Sequence, residues 1–359
     1  MKIAILGAGN LGQAQAAHLA RHGHEVRIWN RTGARIDEIL ERGGIQVSGA
    51  LEGLVELAVA SKDLAEVIPG SEAVILTVPA SSHEAVTRVA APHLEDGQAY
   101  ILHPGHTFGA IACQHVLLGL GCTADLTYCE IMTSLITCRR TGPAMVNASA
   151  IKRALPIGVF PSERGFDKVE FLFEAYPGCV RAPNTLKTSL DNLNAPVHPV
   201  VVLGNMARIE RGEDFLFYWE GVSPGVAKLI EAVDAERYAI GRKLNIDVMT
   251  LMQFYENSYV AEGDGLYEKM LNCQPYADII APKRLDTRLI LEDLPTGIVP
   301  YASLGRAVGV PTPACDALIT LWNIVFERDF RDGARTLESM GLDHLDAEGL
   351  RRFATTGQR

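Results

Sequence analysis

The chain has 359 residues, of which 48% are hydrophobic, and this is enough apolar material for two folded domains of ordinary size. Its 43 acidic and 33 basic residues give a net charge of −10 without any basic block, which argues against a nucleic-acid partner. No apolar run approaches the ~20 residues that a membrane-spanning helix needs, so no membrane partner is expected either.

The cysteines indicate a reducing environment. There are seven of them, an odd number, and they include no CxxC pair and no histidines at zinc-like spacing, so no metal site is expected. Such cysteines are typical of reduced thiols in a cytoplasmic protein. Met1 leads directly into the first predicted strand, so we also expect no signal peptide.

The N-terminal segment has the pattern of a dinucleotide-binding fold. An apolar strand, Lys2–Leu6, leads into a glycine-rich turn, which is followed by a helical pattern and a second strand, Glu25–Trp29. The turn reads Gly7-Ala8-Gly9-Asn10-Leu11-Gly12. Glycine allows the sharp turn at Gly7, the approach of a pyrophosphate at Gly9 and close helix packing at Gly12. Because amides at a helix N-terminus bind phosphate, the motif predicts a dinucleotide site that includes Asn10 and Leu11.

The end of the second strand predicts which coenzyme binds. NAD enzymes of this kind place a carboxylate there for the ribose 2′-hydroxyl, but this chain has Asn30-Arg31-Thr32 and no acid until Asp37. Arg31 can stack on adenine and pair with a 2′-phosphate, to which Thr32 can donate a hydrogen bond. We therefore assign Asn30, Arg31 and Thr32 to the site and expect NADP(H) rather than NAD(H). A solvated arginine in an ordinary loop is the alternative interpretation.

Strands and helices alternate as far as Ala182, which predicts a doubly wound α/β sheet of parallel strands. The most apolar strand, Ala73–Val78, is followed by Pro79. Ligands bind at the carboxyl edge of such sheets, so Val78 and Pro79 are assigned to the coenzyme site. Two segments, Ile45–Gly49 and Leu54–Val59, are expected to form a small hairpin. Further strands are predicted at Ala99–Leu102, Leu126–Tyr128, Ala144–Asn147, Arg153–Phe160 and Gly178–Val180.

The pattern changes near Ala182-Pro183-Asn184, where strands give way to long helical periodicities. Ser223 can cap a helix over Pro224–Leu244. One face of this helix is predicted to be apolar and comprises Val226, Leu229, Ile230, Val233 and Ile240. We therefore predict a nucleotide-binding domain over residues 1–183 and a mainly α-helical substrate domain over residues 184–359. The apolar C-terminal helices fit either a homodimer face or ordinary core packing.

The helical half contains one unusual segment, Asn194-Ala195-Pro196-Val197-His198-Pro199. Helical periodicity puts Asn194 and His198 on one face. Pro196 and Pro199 cannot donate hydrogen bonds to the preceding turn, so we expect the helix to kink and to expose polar backbone. A histidine there is suited to proton transfer near neutral pH, although a lone helical histidine is more often structural.

A second segment, Arg288–Pro300, combines an arginine with an aspartate. Arg288 offers a planar fork for a substrate carboxylate, and Asp293 could orient an imidazole and stabilise its charged form. Composition alone does not join Asp293 to His198. An Arg/Asp pair on the surface ahead of a turn is the alternative.

Taken together, several segments resemble the opine dehydrogenases, including the octopine and nopaline dehydrogenases. The similarity extends over nearly the whole chain. The matching segments are Gly7–Gly12, Thr137–Arg139, Asn194–Pro199, Phe215–Val226, Arg288–Asp293, Val299–Pro300, Asp329–Arg331 and Arg335–Glu338. This resemblance implies a nucleotide-binding domain followed by a helical domain.

The resemblance also implies an activity and the residues that perform it. Opine dehydrogenases join the amine of an L-amino acid to a 2-oxo acid such as pyruvate by reducing an imine. By this resemblance, His198 and Asp293 match the proton-transfer pair and Arg288 matches the carboxylate-binding arginine, with Asn194 added as a substrate-binding residue. A relative in the family has an acid at the end of its second strand, where this chain has Asn30-Arg31, and this difference also favours NADP(H).

Two other functions stay open at this stage. A ketopantoate-reductase-like or 2-hydroxy-acid dehydrogenase would reduce a carbonyl without an amine. Such enzymes usually carry a lysine acid on the helical domain, for which Lys187 is the nearest candidate. A non-catalytic NADP(H)-sensing protein would bind the coenzyme without turnover. The presence together of His198, Arg288 and Asp293 favours the opine dehydrogenase hypothesis.

Overall fold

The computed structural model describes residues 1–359 and divides them into two compact units. Unit 1 comprises Met1–Thr188 with Ala354–Gly357, and unit 2 comprises Ser189–Phe353 with Gln358–Arg359. This division into compact units does not test the domain boundary expected after residue 183, which stays a prediction. No helix combines the length and the hydrophobicity needed to cross a bilayer.

Unit 1 contains all twelve strands. They are β1 Lys2–Leu6, β2 Glu25–Trp29, β3 Ile45–Gly49, β4 Gly53–Val55, β5 Val59–Ser61, β6 Ala73–Leu76, β7 Ala99–Leu102, β8 Thr127–Ile131, β9 Ile136–Gly142, β10 Met145–Ile151, β11 Pro156–Phe160 and β12 Val180–Arg181. Eight of them form one sheet in the order β12-β11-β8-β7-β6-β1-β2-β5, and the other four form a second sheet in the order β4-β3-β10-β9.

The helices of the first half of the chain alternate with these strands. They are α1 Asn10–Arg21, α2 Gly33–Arg42, α3 Leu64–Val67, α4 His83–Ala90, α5 Gly109–Gly119, α6 Glu170–Ala175 and α7 Thr185–Leu190, the last of which runs across the division between the units. β1 pairs in parallel with β2 and β6, and β7 pairs in parallel with β6 and β8. β6, β7 and β8 are buried along their whole length, as is typical of strands covered on both faces. The predicted α/β sheet is confirmed.

Three details of the sheet differ from the prediction. β11 runs antiparallel to β8, so the large sheet is mixed rather than wholly parallel. β3 and β4 form the expected hairpin, but in the smaller sheet, and Val59 begins β5, which pairs with β2 in the larger sheet. β9 lies where no strand is predicted. It contains the charged residues Arg139 and Arg140, and its residues alternate between exposed and partly buried, which hides the apolar signal of a strand.

Unit 2 is helical, as predicted. Its helices are α8 Asn194–Gly204, α9 Met206–Glu210, α10 Pro224–Lys243, α11 Leu251–Tyr259, α12 Leu266–Leu271, α13 Arg288–Leu291, α14 Val299–Val308, α15 Pro313–Phe326 and α16 Ala347–Thr356, the last of which ends in unit 1. A π-helical turn, Leu294–Ile298, joins α13 to α14. Ser223 caps α10 by accepting a hydrogen bond from the Val226 N–H at 3.2 Å. Leu229 is 52% exposed, so it lies outside the apolar face to which it was assigned.

A buried guanidinium connects three segments of unit 2. Arg237 in α10 has no exposed surface and donates hydrogen bonds to the Asp234 carboxylate and to the backbone carbonyls of Leu190 and Met249. The carboxylate of Asp191 in turn accepts from the Met249 N–H at 2.8 Å. These contacts hold α10 against the chain that leads into α8 and against the start of α11. They require a charged donor, because two carboxylates lie beside it.

We expect Arg237→Met to lower the free energy of unfolding by about 3–5 kcal/mol, since it leaves two largely buried carboxylates without their cation. Arg242→Met, on the exposed side of the same helix, should change it by less than about 0.5 kcal/mol. Chemical denaturation followed by circular dichroism measures both values. Equal values for the two variants would contradict the role assigned to this guanidinium.

Candidate functional site

The turn between β1 and α1 is shaped by its three glycines. Gly7 has a φ of +121°, a conformation that side chains rarely adopt, and its N–H donates to the Trp29 carbonyl at 2.8 Å. A Cβ on Gly12 would lie 1.7 Å from the Gly7 carbonyl oxygen, so only glycine lets the helix pack there. A Cβ on Gly9 would have no atom within 4 Å. The turn is therefore closed on the sheet side and open beside Gly9.

The N-terminus of α1 is suited to an anion. No side chain caps it, and its first turn contains no acidic residue. Asn10, its first residue, is exposed, and the Asn10 side-chain oxygen accepts from the Arg140 N–H at 3.4 Å. Leu11 is half-buried. Because the first backbone N–H groups of a helix have no partner within it, the open space beside Gly9 fits the pyrophosphate of a dinucleotide.

Asn30, which follows β2, is hydrogen-bonded to the glycine turn. The side-chain oxygen of Asn30 accepts from the Ala8 N–H at 2.9 Å, and its amide nitrogen donates to the carbonyl and hydroxyl oxygens of Thr32 at 3.0 and 2.8 Å. Arg31 and Thr32 are exposed, and Arg31 forms neither a hydrogen bond nor an ion pair. Asn30 thus holds two loops together, while Arg31 leaves its guanidinium available to a ligand.

Lys62 is a second cation near Arg31 and Thr32, and the sequence pattern did not indicate it. The Lys62 carbonyl accepts from the Trp29 indole at 2.9 Å, and its Cε lies 2.8 Å from the place that a Cβ of Gly33 would occupy. Its ammonium pairs with the Asp37 carboxylate at 2.7 Å. Lys62 follows β5, which pairs with β2, so its position depends on a strand pairing that no local pattern reveals.

The other two residues assigned to the coenzyme follow β6. The Thr77 hydroxyl donates to the Gly7 carbonyl at 2.9 Å, and a Cβ on Gly7 would lie 2.9 Å from Val78 Cγ1. Pro79 comes next and is exposed. Because β1, β2 and β6 are parallel neighbours, the structure brings the glycine turn, Asn30–Thr32 and Val78–Pro79 to one edge of the sheet.

In unit 2 the structure brings His198 and Asp293 together. His198 Nδ1 lies 2.7 Å from Asp293 Oδ2, although 95 residues separate them in the chain. His198 is 6% exposed and Asp293 is 2% exposed. A carboxylate at Nδ1 keeps the proton on that nitrogen and leaves Nε2 as an acceptor. The pair has the geometry of a buried, oriented proton acceptor.

Tight backbone packing sets this distance. Asp293 directly precedes the π-helical turn, and its carbonyl accepts from the Ile298 N–H at 3.1 Å. Within that turn, a Cβ on Gly297 would lie 2.4 Å from the Cβ of Ala195, which is one helical turn before His198. The absence of a side chain at Gly297 therefore lets the two segments approach closely enough for the carboxylate to reach the imidazole.

The backbone carbonyl that Pro196 leaves without a donor has a partner, contrary to the expected exposure. Pro196 lies in the first turn and Pro199 inside the helix, which continues to Gly204. The carbonyl of Asn192, to which Pro196 cannot donate, accepts from the Tyr301 hydroxyl at 2.8 Å. This polar backbone group is satisfied within the protein instead of being exposed.

A third residue contacts the imidazole. The hydroxyl of Tyr218 lies 3.0 Å from His198 Nε2. Burial raises the pKa of Tyr218 well above its usual value, and the nearby Tyr259 and Asp293 raise it further, while Arg288 acts in the opposite direction. The phenol is therefore protonated and donates to Nε2. Tyr218 lies in an aromatic run that resembles ordinary core, so the sequence offers no signal of this role.

The two predicted substrate-binding residues lie on the same segments. Asn194 is half-buried at the start of α8, one turn before His198, and its side-chain amide forms no hydrogen bond. Arg288 begins α13 with 65% of its side chain exposed, 3.7 Å from the Glu292 carboxylate. Both therefore present polar groups that a ligand could bind.

Two family models match different parts of the chain. Residues 181–326 match the family model described as NAD/NADP octopine/nopaline dehydrogenase, alpha-helical domain. Residues 2–104 match the N-terminus of NAD-dependent glycerol-3-phosphate dehydrogenase. The opine dehydrogenase of Arthrobacter sp. (strain 1C) is 38% identical, and the alignment covers 97% of each chain. The chain belongs to the opine dehydrogenase family. The resemblance identified from the sequence is confirmed.

More distant proteins, both inside and outside this family, share the fold. Octopine dehydrogenase of Mizuhopecten yessoensis is 24% identical over 89% of this chain and 88% of that protein. A solved octopine dehydrogenase with NADH and L-arginine superposes with a TM-score of 0.82 at 20% identity, over 100% of this chain and 98% of that one. A ketopantoate reductase from Ralstonia eutropha JMP134 reaches a TM-score of 0.63 at 17% identity, over 91% and 99%. As a family member, the protein is a pyridine-nucleotide-dependent oxidoreductase.

We expect Gly9→Ala to weaken NAD(P)H binding by about tenfold or more, because the added methyl enters the space proposed for the pyrophosphate. The methyl meets no atom of the protein and Gly9 has a φ of −74°, so the unfolding midpoint should hardly change. Gly119→Ala, which also meets nothing within 4 Å, is the matched control. Fluorescence titration with the reduced coenzyme measures the affinity, and unchanged affinity for Gly9→Ala would place the pyrophosphate elsewhere.

Proposed function

We propose that the protein uses NADPH to condense an L-amino acid with a 2-oxo acid such as pyruvate and to reduce the imine, forming an N-(1-carboxyalkyl) amino acid. It would thus act on a CH–NH group, in amino acid metabolism. The observation that carries this proposal is the buried contact between His198 and Asp293 in a member of this family. Solved octopine dehydrogenases contain L-arginine or pyruvate together with NADH, which supports the substrate classes.

His198 supplies the proton chemistry. With its Nδ1 proton held by Asp293, its Nε2 takes up the proton that the substrate ammonium loses, which frees the amine to attack the oxo carbon. The resulting imidazolium is stabilised by the adjacent carboxylate and can return the proton when water leaves to form the imine. The bound coenzyme supplies the hydride that reduces the imine carbon. His198 and Asp293 are therefore the proposed catalytic residues.

Arg288 and Asn194 are the proposed substrate-binding residues. The exposed guanidinium of Arg288 can hold a carboxylate through two parallel hydrogen bonds. The unused amide of Asn194, on the face of α8 that carries His198, can bind a second polar group of the substrate. Two such contacts would orient the reacting carbon, and correct orientation contributes much of the rate of a two-substrate reaction.

NADP(H) is the proposed coenzyme. Its 2′-phosphate requires cations at the end of β2, where the structure has Arg31 without a partner and Lys62 close to Gly33. Thr32 adds a hydroxyl donor. A carboxylate for the ribose of NAD is missing at Asn30, whose side chain is engaged with Ala8 and Thr32. We also propose a cytoplasmic location, since the seven cysteines are all free thiols.

Following NADPH oxidation with pyruvate alone, and then with a panel of amino acids added, tests the reaction. We expect oxidation to depend on the amine. An equal rate with pyruvate alone would indicate a 2-hydroxy-acid or ketopantoate-type reductase. Tight NADPH binding with no turnover for any pair of substrates would indicate a coenzyme-sensing protein.

His198→Ala should lower turnover by at least about 100-fold, because it removes the proton acceptor. NADPH affinity should stay the same, since the residues assigned to the coenzyme belong to unit 1. His344→Ala changes an exposed histidine of unit 2 and is the matched control. Steady-state rates and fluorescence titration measure both properties, and full turnover by His198→Ala would remove this residue from the mechanism.

Arg31→Ala should weaken NADPH binding by about 10- to 100-fold and leave NADH binding nearly unchanged, because only NADPH carries the phosphate that the guanidinium would bind. Arg88→Ala, an exposed arginine on α4, controls for the general loss of one positive charge. Fluorescence titration of each variant with NADPH and with NADH measures the two affinities. An equal loss for NADPH and NADH would contradict the phosphate assignment.

A further inference from the structure

The hydroxyl of Tyr218 contacts His198 Nε2, the nitrogen on which the proposed proton transfer depends. Its hydroxyl lies 3.0 Å from His198 Nε2, while Asp293 lies 2.7 Å from Nδ1. Since the carboxylate can only accept, Nδ1 carries the proton and Nε2 has a lone pair. The Tyr218 O–H therefore donates to Nε2. A substrate ammonium cannot give its proton directly to Nε2 while this hydrogen bond exists.

The ring of Tyr218 is held in place from two sides. It stacks on Tyr276 with ring centroids 4.5 Å apart and an angle of 22° between the planes, and it meets the edge of Phe217 at 4.9 Å. The backbone is also fixed, because the Phe217 N–H donates to the Ile279 carbonyl at 2.7 Å and Leu216 forms a β-bridge with Ile280. Moving the hydroxyl away from Nε2 would break the stacking, so a fixed hydroxyl fits the structure better than a swinging one.

We propose that Tyr218 relays the proton between the substrate amine and His198. The ammonium N–H breaks as a new bond forms to Tyr218 Oη, while the original Tyr218 O–H bond breaks and its proton goes to Nε2. The amine regains its lone pair, Tyr218 remains a neutral phenol and His198 becomes an imidazolium beside Asp293. When water leaves, Nε2 gives its proton back to Tyr218 Oη while the phenolic proton passes to the hydroxyl of the carbinolamine, whose C–O bond breaks as the nitrogen lone pair forms the C=N bond. This inference rests on the proposed function and adds a third catalytic residue to it.

The surroundings of Tyr218 favour a transfer in which the two protons move together. The charged groups near its hydroxyl are Asp293 and Arg288. The neutral titratable groups near it are Cys273 and three tyrosines, namely Tyr255 and Tyr259 of α11 and Tyr276 after α12. Burial raises the pKa of the Cys273 thiol to about 12, so it adds no charge near neutral pH. Burial also raises the pKa of Tyr218, which disfavours a phenolate as a separate intermediate.

Tyr218→Phe tests the relay, because it keeps the ring and its stacking and removes only the hydroxyl. We expect kcat to fall by about 100-fold or more while NADPH affinity stays unchanged. We also expect the acidic limb of the profile of kcat/KM for the amino acid against pH to move to higher pH. The neutral imidazole loses a donated hydrogen bond and is protonated more easily. Packing alone would not move this limb.

One further variant completes the test. Tyr255→Phe removes a hydroxyl from the same aromatic cluster without touching His198, so its acidic limb should stay in place. A Tyr218→Phe enzyme with the original kcat or a higher one would overturn the relay and leave the proposed function standing. If the unsubstituted protein shows no amine-dependent NADPH oxidation, both proposals fail.

Discussion

The close approach of Gly297 to Ala195 is the constraint on which the contact between His198 and Asp293 depends. It brings the backbone of a π-helical turn against α8 at a distance that any side chain on residue 297 would prevent. A π-helical turn widens the helix by one residue per turn, and such turns occur frequently at functional sites. Here the turn follows Asp293 directly, and the hydrogen bond to His198 depends on its position.

The same region shows how buried polar groups are accommodated. Asp293 and His198 lie out of solvent, where an unpaired charge would be costly, and each has the other as a partner. The carbonyl left without a donor by Pro196 is bound by Tyr301, and the chain before α8 is tied to α10 through Arg237. These contacts hold one geometry in place, which suits a site that must keep its donor and acceptor aligned.

Much of this could be inferred from the sequence, and the rest depends on tertiary pairing. The glycine turn was predictable because its spacing follows from local backbone geometry, and Ser223 because helix capping is local. His198 and Asp293 were joined only through the family resemblance, since no local rule connects residues so far apart. The sequence did not indicate Tyr218 or Lys62. The position of Tyr218 depends on the β-bridge between Leu216 and Ile280, and the position of Lys62 depends on the pairing of β5 with β2.

Asn30 links coenzyme preference to the architecture of the turn. Its amide both accepts from the Ala8 N–H and donates to Thr32, and an aspartate at this place would keep the first bond and lose the second, because a carboxylate has no hydrogen to give. An aspartate at residue 30 would therefore place a carboxylate oxygen where the Asn30 amide nitrogen now lies. That oxygen would face the carbonyl oxygen of Thr32 in the loop before α2. An aspartate at residue 30 consequently calls for compensating changes in this loop if the turn is to keep all of its hydrogen bonds.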